Sequence, residues 1–474
     1  MNNTQKIALN TVIQLVGKTV TVAASVLVIA YITRYLGVEG YGDYATIFAY
    51  LGIFGAVLDL GLFVIAVREI AQRPHQEKAI LGNMLGLKLS FSVIVLAVAY
   101  GLAWIVPYPA IVRQGILIGA ISQLFMSLNQ VPLSSFQASL RMYKATLADV
   151  FGRVVMLGLV WWFIAQAGSL LDMIWAVVWA NIAVFGLNIL MMGTQYWLVP
   201  LFDWRQWREL LIAALPMGLV MILGVIYFKI DVLILGHLKG SYAVGIYSAP
   251  YKILEVLLAV PSIFMSSVLP VITAALRESP TKAKQIFQGA FNFLSLAALP
   301  LIAGAVVLAT PVMVFISGPD FVLSGPVLQI LSFSLAGSFL NSVMIYTIIA
   351  ANQQRRLIQP YAWAVIFNIV ANFLVIPRFS FWGAAVITVL TELWVLVFSA
   401  YIVAKQLKLA ADWTVFSKTA VISLVMGLML WWLRAWPVGW LVGLAVVIYG
   451  GLILATRTVT WVEIVNLIPQ LKKK

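Results

Sequence analysis

Ten ionisable side chains stand inside stretches that are otherwise apolar: Lys18, Asp59, Lys88, Asp149, Arg153, Lys229, Asp231, Lys252, Glu255 and Glu392. Charges in such stretches are costly to keep from water, so each faces a partner or a hydrated cavity and is a functional candidate by default. Their signs point to two chemistries. A lysine ammonium is a compact point charge that holds a phosphate without the paired geometry of arginine. A carboxylate that gains and loses a proton or a sodium ion can couple movement to an ion gradient. Lys18, Lys229 and Lys252 are therefore the candidate cations for an anionic headgroup, and Asp59, Asp231, Glu255 and Glu392 the candidate coupling groups.

Spacing supplies plainer roles for several of them. Asp149 and Arg153, four apart, share one helical face and can neutralise each other, and Lys252 and Glu255, three apart, can do likewise. Lys88 can extend its stem toward the headgroups. Lys18 lies deep in its segment, where the alternative to a cavity is a buried pair with Asp59 or Asp231. Lys229 and Asp231 are two apart, point to different faces, and each requires another partner.

The elements that must position these groups are membrane helices. Apolar residues make up 63% of the chain and charged residues 10%, and the mean hydropathy is +1.02; a water-soluble core of this length would have no polar surface to cover it. Stretches of about 20 apolar residues mark about 14 segments, among them 7–33, 43–67, 210–236, 243–270, 357–376, 382–404, 416–434 and 438–456. Continuous apolar runs exclude a barrel of alternating strands. The first segment is too long for a signal h-region and is expected to stay in the mature protein. No cysteine and only two histidines occur, so neither a disulfide nor a thiolate or histidine metal site is expected.

The net charge of +14 is unevenly distributed. With the N-terminus inside, 20 lysines and arginines fall on inner loops and only Arg34, Arg113, Lys239, Arg378 and Arg434 on the other side. By the positive-inside rule this places both termini in the cytoplasm, with a cell-membrane location. The basic excess is thus a topology signal and an attraction to anionic membrane lipids rather than a nucleic-acid surface.

The chain also repeats itself. RYLGVEGYGDYA, residues 34–45, aligns with HLKGSYAVGIYS, residues 237–248, placing Gly37, Gly42 and Tyr44 on Gly240, Gly245 and Tyr247, an offset of 203. A second register, at 212, places Ser122, Leu128, Asn129 and Ala138 on Ser334, Leu340, Asn341 and Ala350. The expected fold is an all-α integral membrane protein in which two parallel six-segment repeats surround a central cavity. The first lobe takes 1–199, a cytoplasmic linker 200–209, the second lobe 210–404, an accessory segment pair 405–456, and a basic cytoplasmic tail 457–474. Duplicated halves of this kind suit alternating access.

No phosphate-loop motif occurs, so ATP hydrolysis is not expected. The outward loops hold few acidic groups beyond Glu39, Asp172 and Asp320, which disfavours an enzyme, and no catalytic residue, metal or cofactor is assigned beyond a coupling proton or sodium ion.

The stretches RYLGVEGYGDYATIFAYLGIFGAVLDLGLFVIAVREIA, YFKIDVLILGHLKGSYAVGIYSAPYKI and NIVANFLVIPRFSFWGAAVITVLTE together resemble the polysaccharide-export flippases, including the Wzx-type O-antigen flippases, of the multidrug, oligosaccharidyl-lipid and polysaccharide exporter superfamily. The resemblance implies a transporter that turns polyprenyl-diphosphate-linked oligosaccharides from the inner to the outer leaflet. By position, Lys18 and Lys252 stand nearest to cavity cations of the related lipid II flippases, with Asp59 where a third cation would stand. Asp43 falls near an acidic residue of that branch that acts at the outer gate. A monomer is expected, with a polysaccharide polymerase or glycosyltransferase as candidate partners. A cation-coupled multidrug and toxin exporter of the same superfamily is the alternative, and a membrane-embedded transferase of lipid-linked sugars a third reading.

Overall fold

The computed structural model describes residues 3–193, 199–456 and 458. The basic tail drawn over 457–474 lies outside the described residues, Thr458 apart. The described residues form helices and turns with no strand among them. In chain order the helices are α1 (Asn3–Asp59), α2 (Leu62–Gln72), α3 (Glu77–Leu102), α4 (Ala110–Ala138), α5 (Met142–Ala165), α6 (Leu170–Met192), α7 (Trp204–Leu257), α8 (Ala259–Glu278), α9 (Pro280–Ser317), α10 (Ser324–Ala350), α11 (Ile358–Gln406), α12 (Thr414–Trp432) and α13 (Val438–Ala455).

Among the described residues, eleven helical stretches are long and apolar enough to cross a membrane, where hydropathy alone draws about 14. The difference arises where two apolar helices follow one another across a kink with no loop between them. Segments 7–33 and 43–67 join in α1, 357–376 and 382–404 in α11, and 210–236 runs on through α7. Each of these helices contains one residue of non-helical backbone: Gly37 (φ 66°, ψ −173°), Gly240 (φ 80°, ψ −178°) and Ser380 (φ 50°, ψ −137°). That region of backbone space is essentially reserved for glycine, which is why the glycines carried the repeat in the sequence.

The duplication is written in the backbone. Gly37 and Gly240, 203 apart, share one unusual conformation. At the other offset, Leu140 (φ 56°) and Asn352 (φ 59°) both occupy the left-handed position that ends a helix. Around Leu140, the Arg141 and Leu140 N–H groups donate to the Phe136 and Gln137 carbonyls at 2.7 and 3.2 Å; around Asn352, Gln353 and Asn352 donate to Ile348 and Ile349 at 3.0 and 2.9 Å. These are two copies of one Schellman turn in one register.

Two compact units divide the chain, Met1–Gly245 and Ile246–Lys474. In the first, α1 packs against α3, α4 and α5, and α4 and α5 pack against α6. The first arm of α7 joins this unit through close backbone approaches. A side chain at Gly42 would strike the Ser241 carbonyl, and one at Gly245 would strike the Val38 carbonyl. Since Val38 and Gly42 stand 203 residues before Ser241 and Gly245, the repeat motif crosses its own copy reciprocally, with small residues letting the backbones meet. Further along, Gly218 of α7 lies against the Leu60 carbonyl at the α1–α2 bend.

Residues 201–206 are laid along α3 in the same unit. Leu201 N–H donates to the Gly82 carbonyl at 2.9 Å, Asp203 N–H to Asn83 Oδ1 at 3.1 Å and Asn83 Nδ2 to Gln206 Oε1 at 2.9 Å. Asp203 also accepts from the Arg205 N–H at 2.9 Å, a cap that starts α7 at Trp204, inside the range drawn as linker. In the second unit α9 packs against α8, α10 and α12, and α10 against α11. The last two helices join it through Leu308, Met426, Leu430 and Leu441.

Candidate functional site

The charged groups sort by what they touch. Lys88 is fully buried, and its ammonium stands 3.6 Å from Asp59 Oδ1, 3.1 Å from Gln130 Oε1 and 3.5 Å from the Leu58 carbonyl. The expected reach of Lys88 toward the headgroups is therefore wrong: α1 ends at Asp59 beside the middle of α3, and the carboxylate draws the ammonium inward. This pair also takes Asp59 from the partners considered for Lys18. Lys252 and Glu255 make the ion pair that their spacing allows, at 2.6 Å, with Lys252 half-exposed.

Lys18 has a different neighbour from those considered. Gly17 places the α1 backbone against Thr146 and Val150 of α5, and Lys18 and Arg153 both act electrostatically on the Asp149 carboxylate. Arg153 also acts on Tyr44. No ion pair within bonding distance joins Asp149 to Arg153 among the described residues, so the two charges act on each other through space rather than as a contact pair. Lys18, Asp149 and Arg153 are all exposed, although each belongs to a helix apolar enough to span a membrane. Lipid cannot accept three such charges cheaply, so the surface they expose faces water. Elsewhere in the unit, uncharged amides hydrogen-bond across α1, α4 and α6: Asn181 donates to Ser122 Oγ at 2.8 Å, Asn188 to Asn129 Oδ1 at 2.9 Å and Gln123 to the Leu51 carbonyl at 3.0 Å.

The second unit carries a buried polar cluster around Glu392, which is 2% exposed. Asn368 Nδ2 donates to Thr391 Oγ1 at 3.2 Å and Asn372 Nδ2 to Asn368 Oδ1 at 2.9 Å, all on α11. Tyr361 hydrogen-bonds Asn341 of α10 and lies within electrostatic reach of the Glu392 charge. Tyr247, the repeat partner of Tyr44, shares a hydrogen bond of 2.8 Å with Thr388. Glu392 stood out in the sequence by its charge, and Asn341 and Tyr247 by the repeat; the i,i+4 pair Asn368 and Asn372 in an apolar segment was the available signal for the rest.

Three candidates remain. Asp231 is buried and accepts from the Val232 N–H at 2.8 Å, while Lys229 on the same helix is half-buried. Asp43, in the glycine turn, accepts from Ser241 Oγ at 2.5 Å, at the reciprocal glycine crossing. No cluster of metal-ligating side chains occurs among the described residues.

Residues 7–276 match the family described as polysaccharide biosynthesis protein. No curated protein matches the chain. Among solved structures, the chain is similar to the lipid II flippase MurJ in an inward closed conformation, at 13% identity and a TM-score of 0.75, over 95% of this chain and 99% of that one. It is similar to an inward-facing multidrug resistance MATE family transporter of the MOP superfamily, at 13% identity and a TM-score of 0.66, over 82% and 96%. A MOP superfamily transporter from Pyrococcus furiosus, titled for the reverse polarity of its binding pocket, is similar at 15% identity and a TM-score of 0.59, over 84% and 94%. At these identities the likeness establishes the fold, that of multi-pass membrane transporters.

Proposed function

The chain belongs to the polysaccharide biosynthesis protein family, and on that premise we propose that it is a flippase, turning a polyprenyl-diphosphate-linked oligosaccharide from the cytoplasmic to the outer leaflet by alternating access. The family match carries this reading. The exposed charges Lys18, Asp149 and Arg153 support it, because a phosphate crossing the membrane requires cations that keep contact with water. Lys18 and Arg153 take the diphosphate and the uncharged amides of α4 and α6 offer hydrogen bonds to sugar hydroxyls. Movement is coupled to a proton or sodium gradient, with Glu392 in its buried polar cluster the leading coupling group. Asp231, Glu255 and Asp43 are further candidates, and Asp59 ranks below them because Lys88 already neutralises it. The inner-loop excess of lysine and arginine supports a cell-membrane protein with both termini in the cytoplasm.

A cation-coupled multidrug exporter shares the fold and is the reading to beat. Purified protein in liposomes, assayed for leaflet exchange of a labelled polyprenyl-diphosphate oligosaccharide, separates the two. Wild type is expected to exceed protein-free vesicles and Lys18→Ala to lose most of that rate while eluting as folded protein. No exchange with either gradient and several glycans would overturn the flippase reading.

A further inference from the structure

Where α4 hands over to α5, a cavity of about 70 Å³ opens at the helix ends, lined by Glu77, Ser135, Ser139, Arg141, Lys144 and Met192, with Phe136. It lies wholly in the first unit. Lys144 Nζ donates to the Met191 carbonyl at 2.5 Å and stands 5.5 Å from the centre of the Phe136 ring, so its position is fixed while two of its three N–H directions remain. Arg141 is exposed, and its guanidinium makes no hydrogen bond or ion pair among the described residues. It nevertheless lies close enough to act on the Lys144 charge. The single carboxylate lining the cavity, Glu77, accepts from Ser135 Oγ at 2.5 Å. Two like charges are therefore crowded at one mouth against one carboxylate, an arrangement that an anion relieves.

The fold does not require these side chains. The second unit makes the same Schellman turn with Thr347, Ala351, Gln353 and Arg356 in place of Ser135, Ser139, Arg141 and Lys144. The turn thus forms without the cation pair, and the cavity's chemistry belongs to the first unit alone.

We propose that this cavity holds the phosphate of an anionic membrane lipid, its oxygens accepting from Arg141 and Lys144. The space suits a phosphate group and is too small for a sugar ring, and its place at the helix ends is where headgroups lie. Two lipids present this chemistry, an anionic phospholipid and a prenyl diphosphate, and the test distinguishes them.

The full chain in detergent would be titrated with phosphatidylglycerol, with farnesyl diphosphate and with phosphatidylcholine as reference, reading bound lipid by native mass spectrometry. Arg141→Gln is expected to weaken one or both anionic ligands about tenfold relative to phosphatidylcholine. Glu77→Gln keeps an acceptor for Ser135 and is expected to strengthen the same ligand. Loss confined to farnesyl diphosphate identifies a waiting position for the flipped lipid, and loss of phosphatidylglycerol identifies an annular lipid site. Affinities within about twofold of wild type for both variants and both ligands would overturn the proposal. Binding at equilibrium involves no flipping, so this outcome stands apart from that of the transport assay.

Discussion

Replacing Lys88 with methionine separates a cation that holds the fold from one that handles substrate. Lys88 is fully buried and its ammonium lies 3.6 Å from Asp59; at an effective dielectric of about 20 that attraction is about 5 kcal/mol. Much of it is offset by the desolvation of both charges, so the pair as a whole adds little over an apolar replacement. Breaking it is another matter. Methionine fills the aliphatic space but leaves the Asp59 carboxylate without its cation and Gln130 Oε1 without the donor at 3.1 Å. Loss of one partner of a buried pair costs roughly 3–5 kcal/mol, and the side chain of Asp59, 12% exposed, keeps some hydration, which places the expected cost near about 3 kcal/mol. The double variant Lys88→Met, Asp59→Asn removes the orphaned charge and should return to within about 1 kcal/mol of wild type.

The assay is a double-mutant cycle on purified protein unfolded by SDS in mixed micelles, with leaflet exchange measured on the same preparations. A coupling energy of about 2 kcal/mol or more is expected, with exchange recovering in the double variant. Should Lys88→Met stay within about 0.5 kcal/mol of wild type while exchange is lost in the single and double variants alike, the ammonium acts on substrate and the structural assignment is refuted.

Two further outcomes follow from local geometry. Leu140 occupies the left-handed helix-ending position and is 64% exposed, so Leu140→Gly removes backbone strain at little loss of packing and should raise the unfolding free energy by about 1 kcal/mol; an unchanged or lowered value would count against strain there. At the start of α12 the Thr414 hydroxyl and N–H donate to Asp412 at 2.6 and 2.8 Å and hold its carboxyl below the usual carboxylate range. A depressed folded-state pKa contributes stability above the unfolded value of about 3.9 that is lost as pH falls through the folded value. Asp412→Asn, which keeps an acceptor, should flatten that acid limb in a series of thermal melts between neutral pH and about pH 3, and an acid limb identical to that of wild type would contradict the assignment.

What could be read from the sequence was what depends on residue type alone. Apolar length placed the helices, and Gly37 and Gly240 betrayed the repeat because few other residues adopt their backbone. The partners of the charges were not legible, because they depend on how helices far apart in sequence are rotated against one another. Lys88 meets Asp59 from a neighbouring helix, and Lys18 comes within electrostatic reach of Asp149 because Gly17 draws α1 onto α5. The kinks within α1, α7 and α11 were legible as breaks in hydropathy, because the residues that leave helical geometry there, Gly37, Gly240 and Ser380, are small or polar. Asn368, Asn372 and Thr391 escaped for a simpler reason: an amide in an apolar run carries no charge to draw notice, yet burial binds it into a network as firmly as a charge.

The division between satisfied and exposed charges bears on mechanism. Asp59 with Lys88 is neutralised within the first unit and Lys252 with Glu255 within the second, leaving Lys18, Asp149 and Arg153 as the exposed cluster with a net single positive charge. A purely cationic group would bind a diphosphate more tightly, but a carrier must also let go, and a site that only attracts becomes a trap. In the flippase proposed above, a carboxylate within electrostatic reach of both cations would solve this: in the empty protein it would limit their mutual repulsion, and when phosphate arrives it would compete for them. On that reading, the mixed sign of the cluster, set by one residue on α5, suits a transporter of anions better than a tight binding site.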